Sequence, residues 1–135
     1  MPGIIIPVLE KRIFEFSFLS TSGSQQVVLQ PAIDVSGFYR VRLLVRVHNL
    51  NLSGTSNFDF KLQHTLPSDS DPQEFTDTSS DFLAITNITS ASPNIKTATA
   101  TDPQAYLKLL LKANQQTTGN LLYGEFSAVL VLRES

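Results

Sequence analysis

Residues 38–49 read FYRVRLLVRVHN, and a single periodicity in them decides the fold class. In extended backbone, Tyr39, Val41, Leu43, Val45 and Val47 point to one side, and Arg40, Arg42, Leu44, Arg46 and His48 to the other. Side chains of a strand alternate across the sheet, so apolar residues at every second position mark a strand with one buried face. Wound as a helix, the same residues scatter the arginines around the cylinder and leave no apolar stripe. The stretch therefore reads as a central strand with one face on a core and a second, cationic face.

The same alternation recurs on both sides of it. Between Arg12 and Leu19, Phe14, Phe16 and Phe18 share one face. A Ser/Gly loop then leads to a strand over Gln25–Gln30, which Pro31 is expected to stop before the turn at Asp34–Gly37. Phe58, Phe60, Leu62, His64 and Leu66 alternate with polar residues, which makes His64 a buried or half-buried structural histidine rather than a catalytic one. Phe82–Ile88 reads as a short strand, and TATAT at 97–101 as an edge strand or a loop. Leu107, Leu109, Leu111 and Ala113 alternate in one closing run, and Phe126, Ala128, Leu130 and Leu132 in the other. With Gly119 between them, the pair is expected to form a terminal β-hairpin rather than an isolated helix over 105–114, where leucine and lysine also favour a helix. The polar stretch around Gly54 is long enough for another hairpin.

The expected architecture is all-β: an antiparallel two-sheet sandwich of seven or eight strands, of jelly-roll type. Residues 11–135 form the single domain, and residues 1–10 an extended N-terminal arm. Pro2 and Pro7 remove donors and keep the arm out of any central strand. The arm carries the apolar triplet Ile4, Ile5 and Ile6, which packs either on its own domain or on a neighbouring molecule.

Composition narrows the function. The chain is 41% hydrophobic and 16% charged, enough apolar material for a packed core. A formal net charge of −2 argues against nucleic-acid binding, which needs a broad basic field. The absence of cysteine excludes disulfides, thiolate metal sites and cysteine nucleophiles. The apolar N-terminal run is too short to span a membrane and has no preceding positive charge, so the chain is expected to be used as synthesised in a cytoplasm.

No catalytic motif is present: neither a Gly-rich phosphate loop, nor paired zinc-binding histidines, nor a Gly-x-Ser-x-Gly elbow. No catalytic residue, cofactor or metal is expected. The acidic run Asp69, Asp71, Glu74, Asp77 and Asp81 has carboxylates for Ca²⁺ but lacks the glycine and terminal glutamate of a calcium loop, and reads as a solvated loop. The distinctive polar feature is the basic stripe Arg40, Arg42, Arg46 and His48. It is either a wet face partnered by acids such as Asp59 or Glu125, or a contact surface for an acidic partner.

The sequence of parts is a short arm, the strand DVSGFYRVRLLVRV, a KLQHT strand before a Ser/Asp-rich loop, and a closing AYLKLLLKAN…TTGN…GEFSAVLVLRES pair. In this layout, over residues 11–133, the chain resembles the small all-β capsid decoration, or cement, proteins of tailed bacteriophages. The resemblance implies a non-enzymatic virion structural protein, made in the host cytoplasm and placed on the capsid exterior. It also implies a homo-oligomer, a trimer above all, that braces neighbouring major capsid subunits. Ile4, Ile5, Ile6, Arg40, Arg42 and Arg46 are then the candidate interface residues, with neither nucleic acid nor membrane as partner. The competing expectation is a carbohydrate- or receptor-binding sandwich from a phage tail or spike, for which Tyr39, Tyr106 and Tyr123 are the available aromatic platforms.

Overall fold

The structure, a computed structural model, describes residues 3–53, 55–67, 75–103 and 105–134, with only the backbone of 66, 67 and 75–80. Eight strands account for nearly all of it: β1 (Gly3–Phe18), β2 (Gly23–Asp34), β3 (Arg40–Asn51), β4 (Ser56–Pro67), β5 (Phe75–Ile88), β6 (Ile95–Thr101), β7 (Tyr106–Gln115) and β8 (Asn120–Arg133). They form two four-stranded sheets, ordered β1-β8-β3-β6 and β2-β7-β4-β5, with every pairing antiparallel. The described residues contain no helix, as the alternation requires.

Strand pairing departs from the sequence expectation in an instructive way. β4 and β5 are the one consecutive pair in a single sheet; every other connection crosses to the opposite layer. The expected β7–β8 hairpin is therefore absent, as is the expected β3–β4 hairpin. Alternation reports which side chains face the core, but both layers present an apolar face to the same core, so it is silent on which strand lies beside which. The crossing links are tied together at one end. Gly119, at φ +93°, donates its N–H to the Phe18 carbonyl at 2.8 Å, and Gln116 donates to Thr55 at 3.2 Å. Gln115 is buried and donates Nε2 to the Ser53 carbonyl at 2.7 Å.

Proline acts differently from the simple stop expected of it. Pro31 lies within β2, which continues to Asp34 through a register shift between Gln30 and Ile33. β2 is an edge strand, where a missing donor faces no partner. Pro7 likewise lies in edge strand β1, opposite Val129. From Gly3 onward the segment expected as an arm is the first part of β1, laid along β8 with register shifts between Pro7 and Arg12.

The core lies between the layers. β3 contributes Val41, Leu43, Val45 and Val47, all buried; Tyr39, expected on that face, precedes the strand and is 49% exposed. Phe126 stands edge-on to Phe58 at 5.3 Å and to Phe60 at 5.0 Å, and Phe14 approaches it at 6.5 Å between ring centroids. These rings come from both sheets and join them. Each fully buried phenylalanine contributes about 1.5–3 kcal/mol by removal from water.

A candidate assembly face on the β1-β8-β3-β6 sheet

The two outer faces of the sandwich differ in how their polar groups are satisfied. On the β2-β7-β4-β5 sheet, Asn114 bridges Asn57 at 2.7 Å and Asp59 at 3.0 Å, and accepts from Ser24 at 2.6 Å. Lys61 pairs with Asp81 at 3.3 Å, and Gln63 donates to the same carboxylate at 2.8 Å. Asp59, one of the acids expected to partner the arginine stripe, thus belongs to the other layer and is bound to Asn114 and to the Asn87 N–H.

The β1-β8-β3-β6 sheet presents apolar side chains and exposed arginines on its outer face. Its outer ladder rows are Arg133–Arg40–Thr101, Val131–Arg42–Thr99, Val129–Leu44–Thr97 and Ser127–Arg46–Ile95. Arg40, Arg42, Arg46 and Arg133 are all exposed, and none forms an ion pair among the described residues. Arg40 and Arg133 are direct ladder partners, a like-charge pairing that costs stability on an isolated sheet. Glu125, the other acid expected to pair with the stripe, stands opposite Asn49, beyond these rows. His48 lies on the same face and meets Ser127 Oγ at 2.8 Å, while His64 is half-buried on β4, 5.2 Å from the Phe82 ring.

The isoleucine triplet divides between the two faces. Ile4 and Ile6 are ladder partners of Leu132 and Leu130, which face the core, whereas Ile5 is opposite Val131 on the outer face. Ile5 is 67% exposed and Ile6 packs against the core. The face therefore brings Ile5 into line with Val131 and Arg42, but it does not gather the whole triplet beside the arginines.

Three shallow hollows mark this face. One of about 290 Å³ lies among Leu44, Arg46, Ile95 and Val129. A second, of about 260 Å³, lies among Arg40, Arg42, Thr97, Thr99, Val131 and Arg133. The third, about 310 Å³, is lined by Ile13, Asn49, Asn51, Tyr123 and Glu125. Sequence reasoning missed Arg133, Val129, Val131 and Ile95. A signal was present, because VLVLR at 129–133 is apolar at successive positions, and a strand apolar on both faces reads as covered on both.

The described residues hold no group of three or more His, Cys, Asp or Glu able to bind a metal. The carboxylates Asp69 and Asp71, considered for Ca²⁺, lie outside the described residues.

No family model matches the sequence. No curated protein matches it either. In fold the chain is similar to solved structures of infectious bursal disease virus. It superposes on the VP2 subviral particle with a TM-score of 0.63 at 12% identity, over 97% of this chain and 32% of that one. The virus-derived T=1 particle gives 0.59 at 10% identity over 98% and 31%, and the Gx strain structure 0.58 at 10% over 97% and 31%. The chain thus spans about a third of the length of those proteins. At such identities the likeness is one of fold.

Proposed function

We propose that this chain is a non-enzymatic structural component of a virus particle, which oligomerises and braces neighbouring shell subunits through the outer face of its β1-β8-β3-β6 sheet. The observation that carries the reading is that face itself. Four exposed arginines, with no ion pair among the described residues, stand among Leu44, Ile95, Val129 and Val131, while on the opposite face Lys61 pairs with Asp81 and Asn114 binds Asp59. Apolar side chains mixed with arginine are the composition of protein interfaces, where the planar guanidinium both packs and pairs. Two further points support the reading: the strand orders fit the expected jelly roll, and solved structures of similar fold include virus particles.

The finer reading follows the resemblance to phage decoration proteins: a trimer on the capsid exterior, with major capsid protein as partner and the host cytoplasm as the place of synthesis. Co-sedimentation of the purified chain with pre-assembled shells, followed by imaging of the particles, tests it. Saturable binding at symmetry-related exterior positions is the expected result. A monodisperse monomer at every concentration, with no shell binding, overturns the proposal.

A second reading is favoured by the hollow at Tyr123. An aromatic ring with Asn49, Asn51 and Glu125 around it is the kind of surface that recognises a sugar, as a tail or spike module does. Saturable binding on a glycan array, lost in Tyr123→Ala, selects this reading over the first.

A further inference from the structure

We infer that the arginine cluster of one copy receives the acidic run at residues 69–77 of a second copy. The inference rests on the reading of this outer face as an assembly surface, and it names what the face holds. Arg40 and Arg133 are ladder partners, Arg42 lies two residues along β3, and together with Thr97 and Thr99 they line one hollow. Three cations held side by side with no carboxylate among them repel one another. An incoming set of carboxylates removes that repulsion and finds fork-shaped donors suited to pairing with it.

The chain itself carries the complement. Asp69, Asp71, Glu74 and Asp77 fall between Pro67 and Asp81, a stretch with no lysine or arginine. Asp81 is already engaged by Lys61 and Gln63 on its own sheet. Topology places the two patches usefully. Arg40 is the ladder partner of Thr101, residues 102–105 lead on to Tyr106, and Tyr106 is the partner of Thr65, just before β4 ends at Pro67. β4 therefore ends, and β5 begins, at the arginine end of the sandwich but in the opposite sheet. Every copy carries both the arginine cluster and the acidic run in its sequence, as a head-to-tail association requires, and such contacts close into rings when the rotation permits.

Charge-swap complementation in the full chain tests this, read by sedimentation velocity with thermal melting as the check on folding. Arg40→Glu with Arg42→Glu, and separately Asp69→Lys with Asp71→Lys and Glu74→Lys, are each expected to weaken self-association by about 100-fold. Raised salt should weaken the unmodified contact as well. A chain carrying both sets of changes is expected to recover association to within about tenfold of the original, because the reversed charges again face their opposites. If the arginine variant weakens association while the acidic variant does not, and the combined chain stays weak, the acidic run is not the occupant, although the face remains an interface. Release of the contact by inorganic polyphosphate, with the acidic variant unaffected, assigns the cluster to phosphate instead. If neither set alters association, the inference and the assembly reading fall together.

Discussion

Gly124 offers a test of how tightly the two layers interlock. It is buried within β8, and a Cβ added there would meet Phe126 Cε2 at 2.3 Å and Cζ at 2.5 Å, with Phe58 at 3.3 Å. Phe126 cannot easily withdraw, because Phe58 and Phe60 stand edge-on to it at 5.3 and 5.0 Å. Gly124→Ala should therefore cost about 1–3 kcal/mol through overpacking. Phe126→Ala should cost about 3–5 kcal/mol through lost burial and the cavity it leaves. In the double variant the new methyl group enters space vacated by the ring, so its penalty should largely vanish. Urea unfolding of the four proteins closes the cycle. The double variant is expected to be more stable than the sum of the single effects by at least about 1 kcal/mol. Strict additivity, or a neutral Gly124→Ala, would refute the packing argument.

The other predictions concern the first strand and a turn. Deleting residues 1–9 removes the buried Val8 and the pairing of Gly3–Pro7 with β8, so the domain should lose about 2–4 kcal/mol. That corresponds to a melting temperature lower by roughly 3 °C per kcal/mol; an unchanged melt would mean that this segment is not held by its own domain. Asp34 accepts hydrogen bonds from the Ser36 hydroxyl at 2.5 Å and the Ser36 N–H at 3.0 Å, and these hold its carboxyl below the ordinary value of 3.8. Its contribution to stability is thus present above that value and lost as the pH falls through the lowered one. Asp34→Ala should remove a small part of the acid-side loss, small because the group is exposed and screened; an acid limb identical to that of the unmodified chain would contradict this.

The residues that announced the fold are those whose environment is local. Val41 to Val47 and Phe14 to Phe18 lie on a buried face because backbone geometry alternates, and that is written in the order of side chains. Pairing is a property of the whole molecule. Nothing in β7 or β8 alone says that they belong to different sheets, because Leu109 and Leu130 reach one core from opposite layers. Pro31 misled for a related reason: its missing donor matters only if a neighbour needs it, and β2 has none on its outer side. The arginine stripe was legible as a stripe, and its exposure follows. What alternation could not show is that Arg133, more than eighty residues away, completes it, or that Asp59 is spent elsewhere. Gly124 carried a readable hint, since glycine inside a strand often marks close approach, but the approaching ring became identifiable only in three dimensions.

The most direct test of the assembly face is side-chain footprinting by hydroxyl radicals, comparing the chain at dilution with the chain in its associated or shell-bound form. Leu44, Ile95, Val129 and Val131 should lose reactivity on association. Val28, 46% exposed on the opposite sheet, should keep its own. Unchanged reactivity at the first four positions, or protection of Val28 in their place, would contradict the claim that this face is where the protein meets its partners.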